Sequence, residues 1–271
     1  MDHTERVRPW VQPRIDRRRA GEKHPVDDFL FDYYPYSVHK LQAWHPGFGF
    51  GLAGDADEYL DHPDYHRTAN GVTVNPAHLQ PKADRLDLVI RLLTGTASRP
   101  AQLNCFGLHE WAMVYSASGL RHDQYRLRLT DDQVAETVDT LGLRCTHIDA
   151  YRFFTDAAKP LNSCEPTRAS QPEIEQPGCL HANMDLYKYA MWFTPFIGSD
   201  LVADCFELAR FAREVDMRAA PYDLVDLGYQ PIRIETSEGR AEYVQRQRLI
   251  SEAAQGLRAR LLAEVASLKQ V

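Results

Sequence analysis

Apolar residues return at helical spacing through most of the chain. Over 84–94, Leu86, Val89, Ile90 and Leu93 share one face, as an amphipathic helix requires. From Gln102 to Ser116 the apolar positions (Leu103, Phe106, Leu108, Trp111, Ala112, Val114, Tyr115) cover most of the circumference. That pattern predicts a central helix with His109 and Glu110 in its middle. Thr130-x-x-Gln133 is a capping box, so a helix should run from there to Gly142. Pro177-Gly178 stops one segment, and two strongly apolar helical runs follow, up to Tyr222. A last helix is expected from Glu238 to about Leu268, with Leu249, Ile250, Leu257, Leu261 and Val265 at helical spacing.

Nearer the N-terminus, Asp27 and Asp28 precede a short helix ended by Pro35, and Ser37 can cap another through Leu41 and Trp44. Alternation of period two is confined to Gly71–Asn75, Tyr125–Leu129 and part of Leu143–Phe154, and Gly228–Glu235 reads as extended. Residues 155–178 form a polar, proline-punctuated loop, which reads as a lid feeding into His181. The expected fold is therefore mainly α: a helical single domain with a few short β-strands. Residues 1–23 read as a basic N-terminal arm. Residues 24–271 read as the helical domain, ending in a long helix suited to docking or to a homodimer through Leu257 and Leu261.

The run Gly47-Phe-Gly-Phe-Gly-Leu-Ala-Gly54 has the glycines of a dinucleotide loop but not its setting. Trp44-His45-Pro46 precedes it where a strand is needed, and Asp55 and Asp57 follow where they would repel a pyrophosphate. A tight glycine turn is the reading that remains.

Composition narrows the classes further. A net charge of −7 over 271 residues argues against a chain whose main task is gripping phosphate backbones. It leaves room for a local basic groove, for which Arg14 and Arg17 to Arg19 are the candidates, so nucleic acid is a minor expectation beside a small-molecule substrate. No run approaches 18 apolar residues, so no membrane span is expected. Five cysteines, at 105, 145, 164, 179 and 205, form no CxxC pair and leave one over, as in a reduced, cytoplasmic protein.

Ionisable residues on apolar helices carry the candidate chemistry. His181, Asp185 and Lys188 fall at i, i+4 and i+7 among Leu180, Met184, Tyr187, Met191 and Trp192. Burying them costs several kcal/mol unless they are paired or used. Two iron readings follow. In the first, His181 is the axial ligand of a haem within an aromatic pocket that includes Tyr187 and Trp192. His78 or His109 then serves as distal acid–base partner, and Arg210, Arg213 and Arg218 take the propionates. In the second, His109, Glu110, His181, Asp185, Asp204 and Glu207 supply a non-haem centre from facing helices. Hydrolytic nucleophile chemistry lacks a G-x-S-x-G elbow or a cysteine in a catalytic context. Base excision stays open through the aromatic residues and the carboxylates Glu110 and Asp185. A non-enzymatic assembly protein using the last helix is a further alternative.

Several stretches carry a resemblance: His24-Pro-Val-Asp-Asp-Phe-Leu-Phe, Trp44-His-Pro-Gly47, Leu103 to Tyr115, Gln176-Pro-Gly-Cys-Leu-His181, Asp216 to Leu224 and Ile234 to Val244. In these the chain resembles, over about residues 20–260, a bacterial family common in actinobacteria that carries the label 3-methyladenine DNA glycosylase. That resemblance implies an N-glycosylase acting on alkylated bases. In size, helical content and the placement of His181 on an aromatic helix, the chain is also similar to the histidine-ligated haem-dependent aromatic oxygenases. That likeness implies an oxygenase using iron or haem. The leading expectation is an iron-dependent oxidoreductase acting on a small aromatic or polar substrate.

Overall fold

The computed structural model describes residues 2–117 and 125–270. It is mainly α, 58% helical, and among the described residues it holds one two-stranded antiparallel sheet. Two compact units can be separated. Unit 1 is Met1–Thr94, Asp185–Ala209 and Gly256–Val271; unit 2 is Gly95–Met184 and Arg210–Gln255.

In chain order the α-helices are α1 (His3–Ala20), α2 (Phe29–Tyr33), α3 (Val38–Gln42), α4 (Ala83–Ala97), α5 (Leu108–Ala112) and α6 (Asp131–Leu141). They continue with α7 (Ile148–Tyr151), α8 (Gln171–Ile174), α9 (Leu180–Trp192), α10 (Ser199–Ala219) and α11 (Ser237–Leu268). Strands β1 (Tyr65–Thr68) and β2 (Gly71–Val74) pair with Thr68 opposite Gly71, a hairpin turned by Ala69 and Asn70.

In unit 1 the basic N-terminal stretch is a helix. Asp2 caps it by accepting from the Thr4 amide, and Val7 and Val11 are fully buried. Arg14 and Arg17 turn inward onto the carboxylate of Asp28, which is buried; Arg14 Nη1 reaches Oδ2 at 3.0 Å and Arg17 Nε reaches Oδ1 at 3.1 Å. Burial alone would raise the Asp28 pKa, but the two guanidiniums outweigh it and hold it below the ordinary carboxylate value. Aromatic rings build the core beneath: Trp10, Phe31 and Tyr187 all meet Phe206, at centroid distances of 5.4, 5.3 and 4.9 Å. The glycine run from 47 is a turn lying on residues 196–198, with Phe48 N donating to Phe196 O at 2.7 Å. In α11, Leu261, Val265 and Leu268 are core residues of this unit.

Unit 2 differs from the sequence pattern in several places, among them the partly alternating stretch 143–154, which holds helix α7. The helix expected over Gln102–Ser116 shrinks to α5, because Phe106 and Gly107 both take positive φ (49° and 68°) and reverse the chain ahead of it. Periodicity could not reveal this, since the apolar positions of 103–106 are half-buried in an irregular segment and carry no mark that sets them apart from a helix. The strand expected over Tyr125–Leu129 reduces to a single bridge between Leu127 and Tyr222. In the stretch read as a lid, Gln171, Pro172 and Glu175 to Gly178 are buried, so its second half is interior. The capping box at Thr130 and Gln133 starts α6 as expected. Trp111, fully buried, donates its indole N–H to Ala219 O at 2.9 Å and so ties α5 to the end of α10.

Candidate metal site

Three segments of unit 2 deliver the site. The first is the turn ahead of α5, where Gly107 accepts the left-handed conformation cheaply and the Tyr243 ring lies 3.3 Å from where a Cβ would stand. The second is the entry to α9. Gly178 runs so close to residue 102 that an added Cβ would lie 2.4 Å from the Gln102 carbonyl oxygen. Side-chain amides fasten these two segments. Gln176 Oε1 accepts from both Gln102 N (2.8 Å) and Gly178 N (2.7 Å), and Gln247 of α11 donates to Gly178 O (2.7 Å). Asn183 closes the first turn of α9 by donating to Pro177 O at 2.9 Å. The third segment is the part of α10 from Arg210, which carries Arg213 and Asp216 one turn apart.

The outcome is a buried group of His109, His181 and Asp216 whose ligand atoms all lie within 4.8 Å of one another. Such a group can hold a metal ion. The rings of His109 and His181 meet edge to face, with centroids 4.6 Å apart and planes at 83°. His109 Nε2 and Asp216 Oδ1 are 2.8 Å apart, and both are cut off from solvent. Burial works against a charged His109, but the Asp216 carboxylate outweighs it and raises the imidazole pKa. For Asp216, burial is likewise overcome, by His109 and Arg213, and the carboxyl is held far below its usual range.

Charged partners surround this group. Arg213, 1% exposed, uses one nitrogen twice: Nη1 donates to Glu110 Oε1 at 3.0 Å and to Asp216 Oδ2 at 2.8 Å. The Glu110 and Asp216 carboxylates are thus neighbours through a single cation. On the other side His147, wholly buried, tilts against His181 with centroids 5.3 Å apart, and its Nε2 lies 3.2 Å from Glu175 Oε1. Glu175 also accepts from the Gln171 amide, and Arg99 donates to its backbone carbonyl at 2.8 Å. The cavity at the site has a volume of about 20 Å³ and is bordered by both His109 and His181. Cys105, Cys145 and Cys179 also face it; burial raises all three thiols, that of Cys145 to about 12, so they stay protonated at neutral pH.

The residues singled out in the sequence are distributed as follows. His109, Glu110 and His181 come together in unit 2. Asp185 belongs to unit 1, where Tyr34 Oη donates to it at 2.8 Å and Lys188 pairs with it. His78, also in unit 1, is 40% exposed at its side chain and holds Asp64 at 2.9 Å. Tyr187 is buried edge-on against Tyr34 and Tyr36, and the Trp192 ring lies under Arg85 at 4.9 Å. Arg210 is half-buried on α10. Arg218 pairs with Glu214 (3.3 Å) and Glu242 (3.4 Å) and donates to Gln230 O. Asp204 lies between Arg6 (2.7 Å) and Arg260 (2.6 Å), and Glu207 also meets Arg6.

Sequence reading did not single out Asp216, His147 or Glu175 as site residues. The available signal for Asp216 was its place three residues after Arg213 on a strongly apolar helix, where an acid and a base on one buried face call for partners. His147 lies in the partly alternating stretch Leu143–Phe154, just ahead of α7, and Glu175 follows α8 in a segment with no periodic signal.

No known protein family, curated protein or solved structure matches this chain.

Proposed function

We propose that the protein is a metal-dependent oxidoreductase with a mononuclear non-haem iron centre held by His109, His181 and Asp216. The carrying observation is the convergence of two imidazoles and one carboxylate on a buried point. Two histidines and one carboxylate would leave coordination positions of a bound metal open, a donor set typical of iron(II) oxygenases. Arg213 holds Asp216 Oδ2 and would leave Oδ1 for the metal, while His147 packs on His181 and would steady its ring; such outer partners orient metal ligands generally. The metal would act by coordinating and polarising what enters the cavity.

The histidine-ligated haem alternative finds less support. His109 stands edge-on 4.6 Å from His181, and the adjoining cavity of about 20 Å³ has no room for a porphyrin. The donor set also accepts zinc, so elemental analysis of the purified chain, with its absorption spectrum, is the deciding experiment. The expected result is about one first-row transition metal per chain and no Soret band, with His109→Ala, His181→Ala and Asp216→Asn each losing at least about tenfold in occupancy. A chain that remains metal-free after anaerobic reconstitution with iron, manganese and zinc overturns the proposal. A Soret band would return the assignment to haem. Release of free base from methylated DNA by the metal-free chain would favour the glycosylase reading.

A further inference from the structure

The cavity beside His109 and His181 is bordered by hydrogen-bond donors. Tyr243 of α11 lines it, fully buried, and its hydroxyl has no hydrogen-bond partner. The phenol reaches this place because residue 107 is a glycine: a Cβ there would stand 3.4 Å from the Tyr243 oxygen, two residues ahead of His109. Cys105 lies beside the hydroxyl, but sulfur is a weak acceptor and this one already takes the Gln247 amide at 3.2 Å. Since a phenol keeps its proton at neutral pH, Tyr243 is a donor that lacks an acceptor. Arg144 is the exposed member of the described lining and so marks the side open to solvent; its guanidinium can only donate. Thr146, half-buried, adds a hydroxyl that serves either way. Acceptors are scarce by comparison. None of the described lining residues is an aspartate or a glutamate, and Gln176 has its amide oxygen on two backbone N–H groups.

A volume of about 20 Å³ holds little more than one water, which needs about 10–15 Å³ by this measure, so a ligand enters by a small head group. An apolar head would leave the buried Tyr243 donor unpaired. A cationic head would meet Arg144 at the entrance and a metal ion within. We infer that the cavity receives a small carboxylate head first, with one oxygen on the metal and the other accepting from the Tyr243 hydroxyl, while Arg144 draws the anion in. The inference rests on the metal reading above and deepens it by naming the substrate class. A carboxylate meets both demands because its two oxygens are separate acceptors on one flat head. Binding is coordination and hydrogen bonding alone; no bond of the carboxylate breaks and no electron is transferred.

The probe is sodium formate, titrated into the full-length chain loaded with cobalt(II), whose visible absorption changes when a ligand joins the metal. The expected outcome is a saturable spectral change, with formamide, of similar size but uncharged, competing at least about tenfold less well. Tyr243→Phe removes the hydroxyl alone; it should keep cobalt content unchanged and weaken formate at least about tenfold. Arg144→Gln should weaken formate by a loss that shrinks as salt rises. The formamide comparison and the surface variant decide the matter if Tyr243→Phe fails to fold by circular dichroism. A cobalt-loaded chain whose spectrum formate leaves unaltered overturns this inference alone. So does equal binding of formate and formamide, or formate binding of wild-type strength in folded, cobalt-loaded Tyr243→Phe. A wild-type chain that holds no metal overturns the metal reading and this one together.

Discussion

His109 Nε2 and Asp216 Oδ1 sit 2.8 Å apart in the interior of unit 2, and His181 brings a third ligand atom within 4.8 Å of both. Buried polar atoms keep their desolvation cost except where a partner offsets it. If the point these three surround holds a metal, adding it should stabilise the folded chain as any ligand of the native state does. At a free concentration about a hundred times the dissociation constant, the gain is about 2.7 kcal/mol. Thermal unfolding with and without iron(II), zinc or manganese checks this. Asp216→Asn should abolish the metal-induced rise in Tm, and His78→Ala should leave it intact.

Replacing Arg213 separates the metal reading from a purely structural ion-pair network. Arg213→Met leaves the carboxylates of Glu110 and Asp216 buried side by side without their shared cation. Removing one member of such a network costs about 3–5 kcal/mol. Urea unfolding of the metal-free variant should show that loss. A bound divalent cation supplies new positive charge beside Asp216, so the variant should recover more stability on metal addition than the wild type gains. No gain on metal addition in either chain would show that the cluster is structural only.

The close approach of Gly178 to residue 102 makes a further prediction. Gly178→Ala puts a methyl group 2.4 Å from a backbone oxygen, and neither segment can withdraw without releasing Gln176 and Gln247. Forced packing of this kind costs about 1–3 kcal/mol. The larger expected effect is on metal occupancy, because His181 follows three residues later. Chemical denaturation and elemental analysis on the same preparation measure both quantities.

Unit 1 carries a pH dependence of its own, through His45. Burial, together with the nearby His62 and His3, lowers its pKa from an ordinary 6.5 to about 4. Above pH 6.5 the imidazole is neutral in the folded and the unfolded chain, and stability is undiminished. As pH falls through 6.5 the unfolded chain takes up a proton that the folded chain refuses, so stability declines until about pH 4, where the folded imidazole also protonates and the decline stops. The full difference amounts to about 3 kcal/mol at most. His45→Gln should flatten that part of the profile of unfolding free energy against pH, and an unchanged slope would remove His45 as its source.

At the N-terminus, Asp28→Asn should cost about 3 kcal/mol or more, since it takes the charge from between two inward-turned guanidiniums. Arg14→Met paired with Asp28→Asn should cost less than the sum of the two changes, and a double-mutant cycle by thermal unfolding reads the coupling.

How far the sequence reveals this architecture depends on whether a residue acts through periodicity or through a distant partner. Helices α4, α6 and α11 are legible because their apolar positions recur at 3.6-residue spacing and α6 carries its own capping box. His109, Glu110 and His181 are legible as ionisable groups among apolar neighbours. The break before α5 is not legible, because Phe106 adopts positive φ under tertiary constraint and its side chain gives no sign of it. The partner of Asp185 is equally hidden: Tyr34, which donates to it, lies 151 residues away in sequence. Asp216 joins His109 across a similarly long separation, and no local pattern marks such a pairing.

Gln247 gives the site an order of completion. Its amide reaches Gly178 O and also Cys105 Sγ, at 3.2 Å, so it grips both segments that carry the histidines. During synthesis the chain has made all three ligand residues by position 216, but the clasp belongs to α11 and emerges later. A nascent chain of that length has the Gln176 tie between the two segments but lacks the second one from Gln247, and if the group binds a metal, uptake is expected to be complete only after α11 emerges.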